Sequence, residues 1–179
     1  MGWFSPVKGP YPSLAQVDKT LPAADSVTTF ERGMIVAVTS DATGANAEFK
    51  IAGNTDNILY VALHDSSDPT AGFVGTAFDP NGGKPAIGAI DLTQDGEYET
   101  SVYDKSKTNY TVGAKLYVAD GLLTTTGSDG TNPLVGYVTA APFERWVNDA
   151  VAVPGSPNDR RLAVRTGANV SVIRFKTAI

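Results

Sequence analysis

Hydrophobic and polar positions alternate in short runs from about Phe30 to the C-terminus. The runs "MIVAVT" (34–39), "AEFKIA" (47–52), "ILYVAL" (58–63), "GFVGTA" (72–77) and "AIGAIDL" (86–92) have the length and β-branched content of strands. So do "EYETSVY" (97–103), "KLYVA" (115–119), "LLTTT" (122–126) and "LVGYVT" (134–139). Near the end, "LAVR" (162–165) and "VSVIRFK" (170–176) read the same way, the latter setting Val170 and Val172 against Ile173 and Phe175. In the run at 97–103, Tyr98, Thr100 and Val102 fall on one face. Turn residues punctuate the runs: Ser40 to Gly44, Gly53 to Asn57, Asp79 to Gly83, and Gln94-Asp95-Gly96. Asp120-Gly121 sits between two β-rich runs, where both central residues of a type I′ turn need positive φ. Turn signals every eight to twelve residues predict an all-β antiparallel sandwich or barrel, jelly-roll or β-tulip-like, its core lying between two facing sheets.

One segment departs from this period. Phe143, Trp146, Val147, Ala150 and Val151 follow Pro142 at helical spacing. The pattern fits either a short helix or a loop with aromatic plugs. A second departure is the N-terminus. Residues 1–24 hold Pro6, Pro10, Pro12 and Pro22 but only three charges, Lys8, Asp18 and Lys19. Each proline removes a donor and fixes φ, so the stretch is expected to be an extended, partly polyproline-like arm, with one helical turn conceivable after Ser13. The expected organisation is an arm over 1–24 and a β-domain over 25–179. The arm's apolar side chains are Trp3, Phe4, Val7, Tyr11, Leu14 and Val17. Its proline density favours lying along another polypeptide. Folding back to cap its own barrel is the alternative.

Composition narrows the function. The chain has 179 residues, 42% of them hydrophobic and 18% charged, with 18 glycines and 11 prolines, which suits short strands and tight turns. The net charge of −5 and the lack of any Lys/Arg run argue against nucleic acid and against an anionic membrane surface. No cysteine is present, so thiolate metal sites and disulfides are excluded. No apolar run reaches the membrane-spanning length of about 18 residues, and the first residues do not read as a signal peptide. Met1-Gly2 lacks the Ser or Thr that myristoylation would want where Pro6 stands.

The search for chemistry returns little. His64 is the single histidine, in "Leu63-His64-Asp65-Ser66-Ser67-Asp68". These are sequence neighbours, whereas a triad needs nucleophile and orienting acid on opposite sides of the imidazole. Calcium would need only carboxylates and loop carbonyls, and Asp91, Asp95 and Glu97, or Asp65 and Asp68, are close in sequence. Turn chemistry accounts for them without an ion. "Gly82-Gly83-Lys84-Pro85" is not a phosphate loop, and the sequons at Asn109 and Asn169 are expected to be chance. The expectation is therefore no enzyme, no cofactor, no metal and no catalytic residues.

Residues 89–142 carry a further pattern: "LTQDGEYE" (92–99), "YTVGAKLYVADGLLT" (110–124) and "PLVGYV" (133–138). In this rhythm the chain resembles the capsid decoration, or cement, proteins of tailed bacteriophages. The resemblance implies a β-rich structural protein, made in the host cytoplasm and placed on the outer surface of the virion. It implies the major capsid protein as partner, contacted at junctions between subunits, and a homo-oligomer, a dimer or trimer. Such proteins often clamp neighbours with an N-terminal extension. The arm residues Trp3, Phe4, Val7, Tyr11, Leu14 and Val17 are the expected capsid contacts on the arm argument alone. The alternative reading is a carbohydrate-binding β-sandwich for phage adhesion to cell-surface glycans, with Trp146, Tyr103 or Tyr117 as its platform. An unrecognised hydrolase is a third option.

Overall fold

The structure is a computed structural model that describes residues 3–8, 19–27, 29–63, 86–151 and 164–178. Eleven strands are present in them: β1 (Phe4–Lys8), β2 (Lys19–Pro22), β3 (Ile35–Ser40), β4 (Ala47–Ile51), β5 (Leu59–Ala62) and β6 (Ala86–Asp91), then β7 (Glu97–Thr100), β8 (Lys115–Ala119), β9 (Leu122–Thr124), β10 (Gly136–Val151) and β11 (Val164–Thr177). They form two antiparallel sheets, one ordered β1-β7-β11-β10-β8-β9 and the other β2-β6-β5-β3-β4. The all-β sandwich or barrel expected from the alternation is therefore what the chain builds, with no helix among the described residues. The run at 72–77 lies outside them.

The main core fills the space between the sheets. Tyr98, Leu116, Val118, Val138, Ile173 and Phe175 meet Ile35, Leu59, Val61 and Ile90 there. A second core occupies the other face of the five-stranded sheet, where Val36, Phe49, Ala62, Ile87 and Ala89 are covered by Ala23, Ala24, Val27 and Phe30. This sheet is thus buried on both faces, contrary to the expectation of a single core between two half-buried sheets. The run Ile35-Val36-Ala37, buried at every position, is the sequence trace of that double burial.

Asp120 and Gly121 adopt φ of 49° and 74°, the left-handed pair that a tight hairpin demands. The same turn joins the sheets. Gly121 donates its N–H to Ala52 O and accepts from Ile35 N, both at 2.8 Å. A Cβ at Gly121 would stand 2.7 Å from Met34 Cγ, so the approach requires glycine as much as the φ does.

The described strands of the N-terminal stretch, Phe4–Lys8 and Lys19–Pro22, join the chain's own sheets. β1 pairs with β7 (Phe4↔Thr100, Ser5↔Glu99, Pro6↔Tyr98) and β2 pairs with β6. Both are edge strands, which need hydrogen bonds along one side only. That is why Pro6 and Pro22 are tolerated: a proline can sit where no ladder partner waits for its missing N–H. Pro6 and Pro22 thus mark edge strands of the same chain.

The segment after Pro142 is neither helix nor loop. β10 runs extended to Val151 and pairs throughout with β11. Two register shifts, between Val138 and Ala140 and between Ala140 and Phe143, let Pro142 fall in an irregularity of the ladder. The partner strand decided the outcome: the apolar residues at helical spacing found cross-strand neighbours instead.

Phe4→Ala is expected to cost roughly 3–5 kcal/mol, because the side chain is fully buried in the main core. Gly136→Ala should cost roughly 3 kcal/mol, since its Cβ would meet Lys176 O at 2.1 Å in mid-sheet. Gly44→Ala, at φ 74° in open space, should cost about 1–2 kcal/mol. Urea denaturation of the three variants checks the order.

Candidate functional site

Of the six expected contact residues, the three described ones differ in exposure. Phe4 is 0% exposed and stacks on Tyr98, with ring centroids 5.3 Å apart. Its ring faces the chain's own core and is closed to a partner. Val7 is 43% exposed beside the irregularity of β1. Trp3 is partly exposed. Its N–H donates to Ser101 Oγ at 2.8 Å, and its carbonyl accepts from Ser101 N at 2.9 Å. Tyr11, Leu14, Val17 and the helical turn after Ser13 lie outside the described residues.

The outer face of the six-stranded sheet holds a more developed arrangement. Glu99 on β7 points away from the core that its neighbours Tyr98 and Thr100 enter, yet it is only 1% exposed. Two arginines cover it. Arg174 on β11 donates from Nε (3.0 Å) and Nη2 (2.6 Å) to Oε1. Arg145 on β10 brings Nε to 3.0 Å from Oε2, an ion pair whose N–H is not aimed along a hydrogen bond. The Arg145 guanidinium lies 5.4 Å over the Trp3 ring, and that of Arg174 lies 5.9 Å from Phe143. Aromatic, cation, anion, cation and aromatic thus follow one another across four strands or their ends, each cation satisfied by a ring and a carboxylate.

Beyond this cluster β10 and β11 leave the body. β7 accompanies β11 only from Ile173 to Lys176, and β8 accompanies β10 only at Gly136 and Tyr137. From Phe143↔Val172 to Val151↔Val164 the two strands pair only with each other among the described residues. At about 3.4 Å per residue, these nine pairs make a ribbon about 30 Å long. Trp146 is 61% exposed on it, opposite Asn169. The sequence, read as separate strands at 162–165 and 170–176 with a helix or loop after Pro142, does not show this element, because a long-range ladder leaves no signal in a local window.

Of the other described candidates, Tyr103, Tyr117, Asp91, Asp95 and Glu97 have structural partners. Tyr103 and Tyr117 are buried; Tyr103 shares a 2.8 Å hydrogen bond with Ser171, and Tyr117 donates to Asp129 Oδ1 at 2.7 Å. Of the three possible glycan-platform aromatics, Trp146 alone stands at the surface. Asp91 accepts from Thr93 N at 2.7 Å, Asp95 pairs with Lys176 at 3.2 Å, and Glu97 accepts from Thr139 at 2.6 Å. The Lys115 ammonium and the Tyr117 hydroxyl beside Asp129 hold its carboxyl below the usual range. Burial pushes the Tyr110 phenol above its ordinary range, and its one hydroxyl proton lies within reach of two carbonyls, Asp104 O at 2.9 Å and Leu123 O at 3.1 Å. No group of three or more metal-ligating side chains occurs among the described residues. His64, Asp65, Ser66 and Asp68 lie outside them. Among the described residues no helix is long and apolar enough to cross a membrane. Set against known protein families, curated proteins and solved structures, the chain matches none.

The cluster makes an ordered prediction. Arg174→Ala leaves the buried Glu99 carboxylate with one misaligned partner and should cost about 2–4 kcal/mol. Glu99→Gln leaves two partly exposed cations that water can reach, and should cost about 1–2 kcal/mol. Thermal unfolding of both variants tests the asymmetry; equal losses would show that Glu99 is not the desolvated partner.

Proposed function

We propose that this chain is a structural virion protein. It binds the outer surface of a tailed-phage capsid at junctions between major capsid subunits and holds the head against the pressure of packaged DNA. The observation that carries this reading is the ribbon. A rigid two-sheet body that extends a two-stranded ribbon about 20 Å past the Arg145–Glu99 contact, with Trp146 exposed on it, can touch more than one neighbouring subunit. Linking two contacts through one body raises the effective concentration of the second, so modest single contacts release slowly. The texture of residues 89–142, which resembles that of phage decoration proteins, supports the same reading. The net charge of −5 would limit adhesion to DNA. In this proposal the capsid contacts are Trp146 and the ribbon backbone, together with the exposed Val7, and the protein acts as a dimer or trimer without catalysis or cofactor.

The test is binding to undecorated heads, read by sedimentation and by the temperature of heat-induced DNA release. The wild-type chain should bind and raise the release temperature. Trp146→Ala should bind about 10-fold or more weakly, as loss of an aromatic anchor does, with its own melting temperature unchanged. Failure of the wild type to bind overturns the capsid reading. Equal binding by both proteins removes the ribbon from the interface.

A further inference from the structure

We infer that β1 and the β10–β11 ribbon are coupled by a latch made of Trp3, Arg145 and Glu99, so that displacing either element loosens the other. This holds whatever the ribbon contacts. The three residues come from three elements: Trp3 leads into β1, Glu99 lies on β7 in the body, and Arg145 lies on the ribbon. Arg145 is held on both sides. Its Nε is 3.0 Å from the Glu99 carboxylate, and its guanidinium is 5.4 Å over the Trp3 ring. Trp3 is held in turn by its two backbone bonds to Ser101 and by Phe4 next to it, buried in the core.

Both coupled elements sit at the weak end of the fold. β1 is a five-residue edge strand interrupted by Pro6 and by a register shift before Lys8. The ribbon has one ladder, and a two-stranded ribbon is marginal in water on its own. Elements of this kind open locally at less cost than the body does. When β1 leaves, the ring beneath Arg145 leaves with it. Arg145 is half-exposed, and its remaining contact with Glu99 is misaligned, so water and salt weaken it. The ribbon then loses the tie to β1 that Arg145 and Trp3 make. The reverse holds by linkage: a partner that pulls the ribbon away takes Arg145 from Trp3 and favours release of β1.

Hydrogen exchange of the full chain, followed by mass spectrometry, tests the coupling in Trp3→Ala, Arg145→Ala and the double variant. Each single variant should speed exchange of both the Phe4–Lys8 and the Phe143–Val151 amides, roughly 3–5-fold, as loss of one exposed cation–π contact implies. The double variant should exchange no faster than the faster single. Amides of Ile35–Ser40 should not change. Trp3→Phe, which keeps a ring, should stay near the wild type. Three results would overturn the latch: each substitution affects its own element alone, no amide changes, or the Ile35–Ser40 amides accelerate by the same factor.

Discussion

The structure depends on an aromatic stack in the middle of the main core. Tyr98 lies between Phe4, at 5.3 Å, and Phe175, at 5.7 Å. It belongs to β7, which is flanked by β1 on one side and β11 on the other. One ring therefore ties the N-terminal strand to the strand that leads into the ribbon. Three large side chains buried together contribute several kcal/mol of apolar transfer, and their contact adds to it. Without that anchor β1 would be a short, proline-interrupted edge strand with little reason to stay. With it, Trp3 is carried to the outer face of the sheet, where Arg145 and Glu99 meet it.

Two kinds of stiffness follow from the same packing. The five-stranded sheet is buried on both faces and is pinned to the other sheet through Gly121, so the body behaves as one unit. The ribbon shares the body's strands but not its layers. Its outer half has no second sheet to pack on among the described residues, and its polar attachments at the base include the buried Glu99 carboxylate with two arginines and the Tyr103–Ser171 hydrogen bond. Stability is therefore graded along β10 and β11, high near Val138 and Phe175 and falling toward Val151 and Val164.

The sequence made most of the body legible and little of the ribbon. Strands β3 to β9 were visible as alternating runs between turn residues, and Asp120-Gly121 marked its hairpin because only a few residue types accept that φ pair. The double burial of Val36, Phe49 and Ile87 was not visible, since its cover, Ala23 to Phe30, has no strand pattern of its own. Prolines in 1–24 were weighed as barriers to sheet pairing, but at an edge they are compatible with it. The ribbon was hidden for a different reason. Helical spacing in Phe143, Trp146 and Val147 is a local property, whereas the ladder with Val164 to Val172 is a long-range one that no local window contains.

The form of the ribbon is itself informative. A long strand pair with unpaired outer edges invites unwanted association, and proteins blunt such edges with irregularities and charge. Both devices appear where this ribbon starts: the register shifts that place Pro142 outside the regular ladder, then Glu144 and Arg145. Pro142 has no N–H to offer, so a neighbour cannot simply extend the sheet from β8 along β10. The sheet is narrowed from six strands to two at that point, and the charge at the junction is turned inward onto Glu99. Past the junction, Trp146 is left exposed. Irregularity and charge thus protect the ribbon where it joins the body, and an aromatic is displayed beyond that point.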